Sequence, residues 1–141
     1  MSNDKAEIQE LISLYSYAAS TRDFEKVGSV FAPEATWELF GHPQMKFKFG
    51  PPNLLASIKE IIVPTTSLTQ MNAPAIIEVN GDHATASSLI NESGEIVPAN
   101  QYFVMFGRYN DELKKTNGKW LFTARRFTII HMRMTKLDPS K

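Results

Sequence analysis

Two short turn signals, Asn80-Gly81-Asp82 and Asn117-Gly118, divide the C-terminal half of the chain into long runs that read as strands. Residues 68–79 and 83–92 flank the first turn. Residues 100–110 and 119–131 flank a longer connection that contains the second. A loop around Ser93–Pro98 joins the two hairpins. Four long antiparallel strands make a sheet with one apolar face, and that face has to be covered.

The N-terminal half supplies the cover. Asp4 with Glu7 reads as a capping box that opens a helix near residues 5–20, with Ile8, Leu11, Ile12, Tyr15, Ala18 and Ala19 on one face. Asp23 reads as the N-cap of a second helix that turns Phe24, Val27, Val30 and Phe31 inward and ends at Ala32-Pro33. Residues 35–40 alternate as a strand and Met45, Phe47 and Phe49 as its partner, with Gly41-His42-Pro43 as the turn. A third helix follows Gly50-Pro51-Pro52-Asn53, carries Leu54, Leu55, Ile58, Ile61 and Ile62, and stops before Pro64. The order is helix, helix, hairpin, helix, four strands. It predicts an α+β domain over 1–133, a curved antiparallel sheet around three helices, with a pocket between the layers and a polar tail at 134–141.

Composition narrows the function. Lys plus Arg and Asp plus Glu each number 15, so no net field draws in nucleic acid or an anionic membrane. The absence of cysteine excludes disulfides, thiol nucleophiles and thiolate metal sites. His42, His83 and His131 lack ligand spacing, so no metal is expected. Residues 1–10 are polar and charged and the apolar runs are short, which makes the cytoplasm the expected compartment. Nine Phe, four Tyr, two Trp and six Met can wall an apolar pocket or pack a core.

Several segments together resemble the SnoaL-like branch of the nuclear transport factor 2-like superfamily. They are Tyr15 followed by Asp23-Phe24, the run from Phe31-Ala32-Pro33 to Trp37-Glu38, and Gly81-Asp82-His83-Ala84-Thr85-Ala86. Gly107-Arg108-Tyr109-Asn110-Asp111-Glu112-Leu113 and Gly118-Lys119-Trp120-Leu121-Phe122 leading to Arg125 complete the set. The resemblance implies a cone-shaped fold and groups the chain with ketosteroid isomerase, scytalone dehydratase and polyketide cyclases. Laid against the isomerase, Tyr15 takes the place of the oxyanion-hole tyrosine, Leu39 that of the basic aspartate and Gly107 that of the protonated aspartic acid. Laid against the dehydratase-like members, Ser20 stands where an aspartate is usual, and Gln70 or Met71 where a histidine is usual. The acid–base pairs of both relatives are therefore missing from their family positions.

Candidate residues follow from these two lines. Tyr15 can donate a hydrogen bond where negative charge develops on a ligand oxygen. If the last strand has no bulge, Arg125 and His131 share a face with Thr123, Phe127 and Ile129, where Arg125 anchors an oxygen and His131 shuttles a proton. Trp37, Leu39, Met71, Phe103, Met105 and Phe127 are expected pocket walls. Of Asn91 and Glu92 one must face inward, and Asn91 is the expected ligand contact. Asp23 serves as an N-cap, Arg126 points to solvent or an interface, and His42 lies on a turn. The expected function is a cofactor-independent enzyme that isomerises, cyclises or dehydrates a hydrophobic oxygenated small molecule such as a polyketide or terpenoid intermediate. The alternative is a non-catalytic protein that binds a lipophilic ligand. A homodimer is expected from the resemblance and from the outward Tyr102, Val104 and Phe106.

Overall fold

In the computed structural model, which describes residues 3–137, helix α1 (Asp4–Thr21) begins one residue earlier than a capping box at Asp4 requires. Asn3 is the N-cap, and the Asp4 carboxylate reaches across to the sheet. There it accepts from Trp120 Nε1 at 2.9 Å and from Lys115 Nζ at 3.0 Å. The helix ends where Arg22 adopts the left-handed conformation and its guanidinium donates to the Thr65 carbonyl at 2.8 Å. Asp23 then caps α2 (Phe24–Ser29) as expected, accepting from the Lys26 N–H at 3.2 Å.

Helix α2 is shorter than its apolar spacing suggests. Strand β1 (Phe31–Phe40) starts at Phe31, because Ala35, Trp37 and Leu39 have a sheet to enter and Ala32-Pro33 cannot continue a helix. After β2 (Phe47–Phe49) comes α3 (Leu54–Ile62), which buries Leu54, Ile58 and Ile62. The expected strand 68–79 is two strands, β3 (Thr65–Asn72) and β4 (Ile76–Asn80). Pro74 between them cannot donate to a ladder. Strands β5 (His83–Ile96), β6 (Gln101–Thr116) and β7 (Lys119–Lys136) are longer than expected. Ser93–Ile96 belong to β5, residues 111–116 to β6, and 134–136 to β7; of the expected tail, Leu137 follows β7 and donates to the Asn100 carbonyl at 2.9 Å, and 138–141 lie outside the described residues.

The sheet runs β2-β1-β7-β6-β5-β3, with β4 also on β5. All pairs are antiparallel except β1 with β7, which is parallel, so the curved, unclosed sheet is mixed rather than purely antiparallel. Helix α1 lies across the sheet and buries Ile8, Ile12, Tyr15, Ala18 and Ala19 in one core with Tyr109, Phe122 and Phe127. Burying side chains the size of Ile8, Ile12 or Phe122 removes about 1.5–3 kcal/mol each of unfavourable apolar hydration.

Two register shifts between β6 and β7 decide which residues face α1. One skips Thr123, so that Phe122 and Arg125 both point inward; the other skips Ile130 and turns His131 outward. Between them Gly107 pairs with Ile129. A Cβ on Gly107 would sit 2.5 Å from Phe127 Cζ and 2.8 Å from the Thr128 carbonyl, so only glycine lets the Phe127 ring lie there.

Candidate functional site

A cavity of about 80 Å³ lies between α1, α3 and the sheet. Its walls are Trp37 and Leu39 of β1, Met45 and Phe47, Ile58, Ile61 and Ile62 of α3, Met105 and Phe127. Its polar members are Tyr15, Gln70, Glu92 and Tyr109. A larger concavity of about 600 Å³ runs along α1 beside Trp120. It is an open surface groove with none of these groups, so chemistry is sought in the smaller, enclosed space.

Alternation explains how the polar groups arrive. Met105 and Tyr109 lie on the inner side of β6, with Gly107 between them. On β5 Ile90 is inward, so Glu92 follows it inward and Asn91 turns out. Gln70 lies opposite Glu92 on β3 and donates from Nε2 to Glu92 Oε1 at 3.3 Å. The Gln70 backbone N–H donates to Ser20 Oγ at 2.9 Å. Ser20 is thus in contact with Gln70, one of the two residues expected at the family's histidine position, through the Gln70 backbone.

Burial sets the proton affinities. It pushes the Glu92 carboxyl up to about 7, against the opposing hydrogen bond from Gln70. It pushes the Tyr15 hydroxyl up to about 12, against the nearby positive charge of Arg125, and the Tyr109 hydroxyl well above its usual range. At neutral pH both phenols are therefore donors, while Glu92 stands ready to take or give a proton. The Tyr15 and Tyr109 rings meet edge to face at 6.3 Å, and the Trp37 indole approaches Tyr109 without forming a well-aligned hydrogen bond.

Arg125 is fully buried but does not line the cavity. Its guanidinium lies 3.6 Å from the Tyr109 ring centroid, 4.3 Å from that of Phe122 and 4.6 Å from that of Tyr15. It is held by the Asp111 carboxylate, which accepts from Nε at 2.8 Å and from Nη2 at 3.1 Å. Burial pushes the Asp111 carboxyl up while Arg125 pulls it back. Burial also works against the charge on Arg125, yet Asp111 holds the guanidinium above its ordinary value. With arginine always charged and the geometry bidentate, the pair is ionic.

With the fold and cavity in place, comparison with known proteins is decisive for family. Residues 1–126 match the model of the SnoaL-like domain. The chain belongs to the SnoaL-like family. No curated protein matches its sequence. Similar solved structures include a proposed scytalone dehydratase from Novosphingobium aromaticivorans, 17% identical with TM-score 0.79, covering 96% of this chain and 89% of that one. Hexachlorocyclohexane dehydrochlorinase LinA-type3 from Novosphingobium barchaimii is 16% identical with TM-score 0.81, covering 96% and 94%. A Nostoc punctiforme protein of unknown function with a cystatin-like fold is 22% identical with TM-score 0.73, covering 99% and 95%. At these identities the likeness shows the nuclear transport factor 2-like fold.

Within this SnoaL-like domain the expected site residues divide. Tyr15, Trp37, Leu39, Met105 and Phe127 line the cavity. Phe103 is buried in the core but does not reach the cavity. Met71 is 67% exposed and Asn91 is exposed, because each is one residue out of phase with the inward member of its strand, Gln70 and Glu92. His131 is exposed, turned out by the bulge at Ile130. His42 stays in its turn, accepting from the Gln44 N–H at 3.1 Å. Arg126 points out and pairs with Glu112 at 3.2 Å. Among the described residues no three His, Asp or Glu side chains converge as metal ligands, and no helix is long and apolar enough to cross a membrane.

Proposed function

We propose that this SnoaL-like protein is a cofactor-independent enzyme that moves a proton on a hydrophobic, oxygen-bearing small molecule, with Glu92 as base and acid and Tyr15 as hydrogen-bond donor. The observation that carries the reading is the enclosure of the Glu92 carboxyl and the Tyr15 hydroxyl in one apolar-walled cavity. The Glu92 carboxylate takes a proton from carbon next to a carbonyl, and the enolate oxygen that forms receives the Tyr15 hydrogen bond. Protonated Glu92 then returns the proton to another carbon, which isomerises the substrate, or to a departing hydroxyl, which dehydrates it. Arg125 acts through Tyr15 and Tyr109, its charge lying behind both rings. Polyketide or terpenoid intermediates are the substrates we favour, and the cytoplasm the compartment.

The names of two of the similar structures, a dehydratase and a dehydrochlorinase, denote the elimination of water and of hydrogen chloride. They support this reaction class here. The binding-only alternative draws on the failure of Tyr15, Arg125 and His131 to converge. Glu92 weakens it by supplying the proton carrier that His131 does not. The test is exchange of the α-protons of cyclohexanone with deuterated solvent, followed by NMR. Acceleration by the protein, reduced about 100-fold or more in Glu92→Gln and about 10- to 100-fold in Tyr15→Phe, supports the proposal. Exchange unaffected by Glu92→Gln removes it.

A homodimer is part of the same proposal, supported by Tyr102 and Val104, neighbours on the outer face of β6 that are 37% and 42% exposed. Light scattering on the chromatographed protein at micromolar concentration should give twice the chain mass; a monomer would remove this part.

A further inference from the structure

Two buried side chains that line the cavity, Trp37 and Gln70, have hydrogen-bonding capacity that no described residue uses. Trp37 is 8% exposed and its Nε1–H is enclosed without a well-formed bond to any described residue. Gln70 is 9% exposed; its Nε2 goes to Glu92 and its backbone N–H to Ser20, but its Oε1 has no partner among the described residues. Both line the cavity. Native interiors leave few buried polar groups unpaired, because each one forfeits its bonds to water.

The two groups are opposite in sense. An indole N–H only donates, and an amide oxygen only accepts. Their neighbours agree with them. Trp37 lies beside the Tyr109 hydroxyl, and Gln70 lies against the Glu92 carboxyl. The Trp37 indole thus offers a donor beside Tyr109, and Gln70 Oε1 an acceptor beside Glu92, with Leu39 and Phe127 as apolar wall. An anionic ligand is opposed by Glu92, and a plain hydrocarbon leaves both groups unpaired.

We propose that Trp37 and Gln70 form a two-point recognition site for a small hydroxy-carbonyl compound, whose carbonyl oxygen accepts from the Trp37 indole and whose hydroxyl donates to Gln70 Oε1. The carbonyl oxygen has a second lone pair for the Tyr15 hydroxyl, the donor already assigned to the oxyanion. The inference names the substrate class of that site and rests on the catalytic reading for turnover, though not for binding.

The probe is 4-hydroxycyclohexanone, whose hydroxyl cannot be eliminated from the enolate, with cyclohexanone and cyclohexanol as single-group controls, titrated into the full chain by calorimetry and by NMR of the indole N–H signals. The chain has two tryptophans. Trp120, bonded to Asp4, is the internal reference. The hydroxyketone should bind about tenfold more tightly than either control and should move the Trp37 signal but not that of Trp120. Trp37→Phe should weaken the hydroxyketone and cyclohexanone alike, and Gln70→Leu should reduce the hydroxyketone to the level of cyclohexanone. Equal affinity for all three probes, a stationary Trp37 signal, or no binding would overturn the inference, and the wild-type comparison decides even where a variant fails to fold. Binding and exchange measured on the wild type separate the two readings. Hydroxyketone preference with no proton exchange by the wild type sinks the catalysis alone, and exchange without that preference sinks the recognition site alone.

Discussion

Arg125 grips Asp111 through two hydrogen bonds, Nε to Oδ1 at 2.8 Å and Nη2 to Oδ2 at 3.1 Å, and neither side chain reaches solvent. The pair is the rear wall of the site. It fixes the guanidinium against the rings of Tyr15 and Tyr109, whose hydroxyls serve the cavity.

Removing one partner leaves the other charge buried and uncompensated. Asp111→Asn and Arg125→Met should each destabilise the fold by about 3–5 kcal/mol in urea unfolding. The double substitution Asp111→Leu with Arg125→Met should cost less than the two single changes together. Single losses below about 1 kcal/mol would mean that the pair is not enclosed as described.

The Glu92 carboxyl binds its proton more tightly in the folded chain than in the unfolded one, since burial lifts it from 4.5 to about 7. The folded state then holds more protons between those values, so this contribution to stability is full below pH 4.5 and is lost as pH rises through 7. The shift corresponds to at most about 3 kcal/mol. Glu92→Gln lacks the titration, so its stability relative to wild type should rise by up to that amount between pH 4.5 and 7.5. A difference independent of pH would contradict the burial of this carboxyl.

His131 is exposed beyond the bulge at Ile130 and stands apart from the cavity. His131→Ala should leave α-proton exchange unchanged and stability within about 0.5 kcal/mol. A large loss of exchange would return the proton-carrying role to the histidine.

The α+β order, the Asp23 cap and the two turns are legible in the sequence because each depends on neighbouring residues. The parallel pairing of β1 with β7 is not, since it joins strands far apart in the chain. The site was half legible. Tyr15, Trp37, Leu39, Met105 and Phe127 follow from simple alternation or from the resemblance. Glu92 was one of two candidates, and only the phase set by Ile90 selects it over Asn91. Tyr109 follows from continuing the inward series Met105, Gly107 along β6. Asp111 stays hidden, because counting back from the Asn117-Gly118 turn pairs it with Ala124, and the bulge at Thr123 is what brings Arg125 opposite. Bulges arise from packing, as where the Phe127 ring occupies the space above Gly107, and no local pattern announces them.

The most direct measurement is the titration of the Glu92 carboxyl carbon by NMR from pH 4 to 9, assigned by its loss in Glu92→Gln. A midpoint near 7 is the result expected of a proton carrier enclosed with Tyr15 in an apolar chamber. A midpoint near 4.5 would place the carboxyl in water and contradict the proposed chemistry.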